Sequence, residues 1–216
     1  MRLLWLMLGK DLRLEWRTRE IVTTMGLLAL LLVIILAAAG TNAAASAPAA
    51  MWVTYAFAAS IGLGRTFASE RDDLAALRLA PVDRGMIFAS KALANWTVLT
   101  VVQVVSIPAF SALFTEAIWM RLPALALPLA LGGAGLAAAG TLFGGLVAQT
   151  RSREVLLPIL MLPVILPVLI AAVGATAGII DGQPLGAVRP QLQLLGAFDV
   201  LFAASSVLLF DAIVDE

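Results

Sequence analysis

The chain has 216 residues, 62% of them hydrophobic and only 13% charged, with a mean hydropathy of +1.01; a soluble domain carries about 25% charged residues, so the composition indicates an integral membrane protein. Fourteen basic and fourteen acidic residues cancel, which excludes a global field that would draw nucleic acid. Cysteine and histidine are both absent, which excludes disulfides, thiolate nucleophiles, iron–sulfur ligation and the commonest general base, metal ligand and haem ligand.

The N-terminus, "MRLLWLMLGKDLRLEWRTRE", mixes charge throughout, and no short apolar core with a small-residue cleavage site follows, so it does not read as a secretory signal. On a helical wheel Arg2, Lys10, Arg13 and Arg17 fall within an arc of roughly 80°, and Leu4, Trp5, Leu8, Leu12 and Trp16 take the adjoining arc. This pattern predicts an amphipathic helix over 1–20 lying along the bilayer surface, with tryptophans at the boundary; the alternative is an extension of the first span.

Six stretches reach the roughly 20 mostly apolar residues that a crossing helix needs: 21–40, 48–66, 92–114, 123–148, 155–180 and 193–213. The second is the shortest. Basic residues divide unevenly between the connections. Five precede the first span (Arg2, Lys10, Arg13, Arg17, Arg19), five join the second to the third (Arg65, Arg71, Arg78, Arg84, Lys91), and Arg151 and Arg153 join the fourth to the fifth. The opposite side holds only Arg121 and Arg189. By the positive-inside rule both termini and the 67–91 loop are cytoplasmic. The expectation is an all-α membrane protein, a single domain over 1–216 with six transmembrane helices.

Span four is rich in glycine, and Gly140 and Gly144 form a small-xxx-small pair, a packing face within or between subunits. Span five, "VLLPILMLPVILPVLIAAVGATAG", contains Pro158, Pro163 and Pro167. Each removes a backbone donor and crowds the preceding turn, which predicts a bent helix; it is either a hinge or wall of a substrate path, or a static kink. Polar residues within spans are few: Asn95, Gln103, Gln149 and the aspartates Asp199 and Asp211 of span six, which should face protein or the interface. No paired ionisable groups form a proton relay.

The most charged stretch is "ERDDLAALRLAPVDRG", Glu70 to Gly85. Catalysis is a poor reading, because Glu70, Asp72 and Asp73 have no histidine or nucleophile beside them and sit next to arginines that neutralise them. With no GxxxxGK[ST] motif either, the chain is expected to be no enzyme and to bind no metal. The stretch reads instead as a short amphipathic helix: Ser69 caps it, the acids fill its first turn, Leu74, Leu77 and Arg78 follow at helical spacing, and Pro81 stops it. An ordinary solvated loop helix would have the same pattern.

Glu70-Arg71, Leu77, Pro81 and the basic turn through Arg84 to "IFASK", ending at Lys91, resemble the cytoplasmic loop of type-2 ABC exporter permeases. In that family the loop is a coupling helix that docks on a separate ATPase subunit. The resemblance assigns the docking role to Glu70, Arg71, Asp72, Asp73, Leu77, Arg78, Pro81 and Arg84. The chain departs from the frequent Gly-Thr-Leu-Glu of the family at Asp73 to Ala76. Within these permeases "LGRTFASERDDLAALRLAPVDRG", the proline series "LLPILMLPVILPVLIAA" and Asp181-Gly182 are similar to the CcmB family, permease subunits of the haem exporter used in cytochrome c maturation. This implies a half-transporter of the bacterial inner membrane. Two copies would pair with two CcmA-like ATPase subunits, a haem-handling CcmC-like protein and a small single-span CcmD-like protein. ATP acts through the ATPase partner, and haem export or release of a haem-loaded chaperone is the output. With only methionines and Tyr55 as axial donors here, a partner is expected to hold the haem. Other readings are a permease for lipid, drug or polysaccharide, with Trp119 and Arg121 near its cargo, or a membrane assembly subunit without transport.

Overall fold

A computed structural model describes residues 2–40, 42–66, 84–147, 150 and 153–214. Its elements are α1 (Arg2–Thr18), α2 (Glu20–Ala39), α3 (Ala43–Thr66), α4 (Arg84–Leu113), the short α5 (Ala117–Met120), α6 (Leu122–Val147), α7 (Arg153–Ile180) and α8 (Arg189–Val214). Five of them, α2, α3, α4, α6 and α7, are long and apolar enough to cross a membrane, which makes the chain a multi-pass membrane protein. The sixth predicted span, 193–213, lies within the 26 residues of α8.

The helices begin and end where local chemistry requires. α1 and α2 meet at an elbow in which Arg19 takes the left-handed conformation, φ 54°. There the Glu15 carboxylate accepts a hydrogen bond from the Val22 amide at 2.8 Å, supplying a partner for one of the free donors of the first turn of α2. Between α2 and α3, Asn42 Oδ1 accepts from the Ala45 amide at 3.2 Å, the work of an N-cap. α7 ends at Gly182, φ 95°, with Gln183 N bonded to Gly178 O and Gly182 N to Ile179 O at 2.9 and 3.0 Å. That paired pattern requires a left-handed residue, hence the glycine.

Two predicted boundaries move. Span three was expected from 92, but α4 starts at Arg84, and span two from 48, but α3 starts at Ala43. A helix does not stop at the edge of the hydrocarbon. Its backbone bonds continue through polar residues until a cap or turn ends them; Pro48, in the second turn of α3, leaves the Ala44 carbonyl without its usual donor.

α3 forms the centre of the bundle. Of its apolar window 61% is buried, against 17% for α2, and it packs on α2, α4, α6 and α7. The reason lies in its small residues: Ala50, Ala56, Ala58, Ala59 and Gly62 allow close approach, and Trp52 and Tyr55 fill what is left. The core continues through Met25, Val33, Leu99, Val102, Phe110, Leu136, Ile165, Val168 and Ala172. α7 presents Leu157, Met161, Ile165, Val168, Ala172 and Ala175 inward at helical spacing, leaving Pro163 and Pro167 exposed on the opposite side.

Candidate functional site

The predicted docking residues Glu70, Arg71, Asp72, Asp73, Leu77, Arg78 and Pro81 lie outside the described residues. Arg84 opens α4. What the structure does describe is the frame that carries this loop: the end of α3, the start of α4, and α1 packed against α4. Seven residues into α4, Lys91 is 3% exposed, and its Nζ stands 3.2 Å from Oδ2 of Asp11 on α1, itself 13% exposed. A buried ammonium is tolerated only with a counter-charge, and Asp11 provides it. One turn nearer the loop, Ile87 and Phe88 pack on Leu142 of α6 and are covered by Met7 of α1. Ser90 turns its hydroxyl back to the Ile87 carbonyl at 2.8 Å, removing a donor that would otherwise be buried unpaired. α1 therefore contacts the start of α4 just beyond the loop.

From this frame a line of polar contacts joins the helices. Asn95 Nδ2 donates to Thr141 Oγ1 at 2.9 Å, Trp96 Nε1 to the Ala130 carbonyl at 3.0 Å and Gln103 Nε2 to the Leu129 carbonyl at 3.4 Å, fastening α4 to α6 at three levels. Trp52 Nε1 donates to Thr176 Oγ1 at 2.8 Å, fastening α3 to α7. Tyr55 and Ser106 hydroxyls, 3.1 Å apart, join α3 to α4. The contact between α3 and α6 is closed by glycine. A side chain at Gly132 would overlap the Trp52 indole, and one at Gly140 would overlap Leu63, so each of these two glycines of α6 receives a large side chain of α3. Gly140 thus lies at an α3–α6 contact within one chain; Gly144 is buried on the same helix. The prolines Pro158, Pro163 and Pro167 all lie within the single helix α7.

Asp199 of α8 faces protein. Its Oδ1 is buried without a hydrogen-bond partner among the described residues, and a Cβ on Gly135 would stand 3.0 Å from it. Among the described residues no three acidic, histidine or cysteine side chains gather as metal ligands would. Met25, Met51, Met161 and Tyr55 are spent on core packing. The arrangement ties the helices to one another through paired polar side chains.

Sequence reasoning missed two elements of this frame. Asp11 and Glu15 read as ordinary members of a mixed charge pattern, yet one holds Lys91 and the other the α2 elbow. The signal available was their spacing with Leu8, at i, i+3 and i+7, a stripe facing away from the arginines.

No curated protein matches the chain. The profile of the CcmB protein family matches residues 2–214. With that match spanning every helix described above, the chain belongs to the CcmB family, membrane components of haem-export, cytochrome c maturation ABC systems.

Proposed function

We propose that this chain is the permease subunit of such a system, a homodimerising six-span protein of the bacterial inner membrane with both termini in the cytoplasm. α8 is the sixth span, α1 an interfacial helix along the inner leaflet, and the 67–91 loop a coupling helix. The ATPase partner, CcmA-like, docks on Glu70, Arg71, Asp72, Asp73, Leu77, Arg78, Pro81 and Arg84. CcmC-like and CcmD-like proteins complete the complex. ATP hydrolysis belongs to the ATPase subunit, haem is held by a partner, and the output is haem export or release of a haem-loaded chaperone. The observation that carries this reading is the family match over residues 2–214.

The packing supports a mechanical role. α4 has 30 residues, a rod of about 45 Å at 1.5 Å per residue. A push on its foot by a docked ATPase would move the stretch before Pro108 as one body, and its three bonds to α6 would carry that helix along. Trp52–Thr176 ties α3 to α7, and relative motion of the two pairs is resisted by the Tyr55–Ser106 contact and by the side chains of Trp52 and Leu63 seated on Gly132 and Gly140 of α6. In α7, Pro163 and Pro167 deprive the carbonyls of Ile159 and Pro163 of their usual donors, giving that helix the least backbone resistance to bending.

Co-purification of the detergent-solubilised chain with the ATPase subunit, followed by an ATPase assay, tests the reading. The variant Glu70→Lys, Arg71→Glu, Pro81→Ala should insert normally and uncouple hydrolysis from cytochrome c maturation. Normal maturation in that variant would remove the coupling role.

A further inference from the structure

α1 carries more order than its mixed sequence suggests. Leu8, Asp11 and Glu15 form one stripe, and Lys10, Arg13 and Arg17 repeat the same stagger two residues on, about 200° round the helix. Both acids are turned inward and engaged, Asp11 with Lys91 and Glu15 with the Val22 amide. Lys10, Arg13 and Arg17 are exposed. Beside them Trp5 and Trp16 are 66% and 74% exposed, and Arg19 lies over the Trp16 ring, 6.0 Å from its centroid. A shallow groove of about 520 Å³ follows the row, with Trp5 and Leu6 towards one end and Arg13 and Arg17 towards the other. A helix with its acids withdrawn, its cations in a row and its indoles flanking them complements one surface chemistry: anionic phosphate headgroups set at an apolar boundary.

We propose that α1 is a selective site for anionic phospholipid of the inner leaflet, that Arg13 and Arg17 bind the headgroup phosphate, and that the Asp11–Lys91 pair fixes the rotation of α1 so that this row faces the lipid. The proposal rests on the interfacial reading of α1 above. Asp11 is a positioning residue: it touches no lipid. That yields an inverted sign. By charge alone, removing an acid from α1 would strengthen attraction to anionic lipid; by orientation, it weakens it.

Because the chain lacks cysteine, Leu14→Cys introduces a unique thiol on the groove. The full chain, labelled there with a fluorophore, is reconstituted into vesicles of phosphatidylcholine with phosphatidylglycerol, and one lipid at a time bears a nitroxide quencher. Labelled phosphatidylglycerol should quench several-fold more than labelled phosphatidylcholine. Arg13→Gln with Arg17→Gln, both at exposed positions, should bring that preference close to equality, and 1 M salt, with a screening length of about 3 Å, should abolish it. Asp11→Asn should lower the preference, and the exchange Asp11→Lys with Lys91→Asp should restore it, which also controls for folding. Equal quenching by both lipids overturns the selective site while leaving α1 interfacial. Quenching by neither, with the fluorophore shielded when the ATPase subunit is added, overturns the interfacial reading itself and makes the row a protein-docking face. A rise in preference in Asp11→Asn overturns the positioning role.

Discussion

Gly132 and Trp52 show how single residues set the contact between two spans. In lipid there is no hydrophobic gain from bringing helices together, so association depends on close packing and on bonds that lipid cannot supply. Gly132 gives the indole its space, and Thr176 gives it an acceptor at 2.8 Å. Gly132→Val should destabilise the detergent-solubilised chain by about 1–3 kcal/mol, the usual cost of overpacking, seen as a lower Tm. Gly9→Ala, at a position with no atom within 4 Å of the added carbon, is the matched control and should leave Tm unchanged or slightly raised. Equal effects of the two substitutions would show that the α3–α6 seam tolerates a side chain there. The small-residue character of span four was legible in the sequence. Which large side chain each glycine receives was not, because Trp52 and Leu63 are about eighty residues away along the chain and no local pattern encodes that distance.

Among the elements, α1 departs furthest from what its periodicity conveys. A helical wheel sorts faces but does not name the surface each one meets; that is decided by Lys91, eighty residues on. The wheel placed Leu8 on the aromatic arc, whereas it is buried, and left the acids unassigned. The elbow at Arg19 was equally hidden, since a left-handed arginine has no composition signal; it is held by Glu15, which satisfies the Val22 amide. Glu15→Ala should loosen this corner by about 1 kcal/mol, as loss of a cap does. Limited trypsin digestion reads it: cleavage after Arg17 and Arg19 should quicken severalfold while cleavage elsewhere keeps its rate. The apolar spans themselves were plain, because a 20-residue hydrophobic run has few other uses. Their ends were less so, as α4 shows by running eight residues past the hydrocarbon edge expected for it.

For the molecule as a whole, the uneven distribution of lysine and arginine predicts the side on which each connection lies. Gly186, in the turn between α7 and α8, is exposed with open space around it. In intact cells a membrane-impermeant thiol reagent should label Gly186→Cys and leave Leu14→Cys unlabelled until the membrane is opened. Labelling of both from outside would reverse or break the six-span arrangement. The loop proposed to dock the ATPase was the most conspicuous stretch of the sequence, and its assignment came from resemblance. Charge and turn residues alone describe a docking helix and an idle surface helix equally well.

The ion pair between Asp11 and Lys91 also has a consequence in time. The two residues are separated by 80 positions, and at roughly 5–20 residues per second a ribosome needs about 4–16 s to make that length. During this interval α2 and α3 are made, while the inward carboxylate of α1 has no Lys91 to meet. The pair can therefore close only after α2 and α3 have both been made, so this contact between α1 and α4 forms later than either of them.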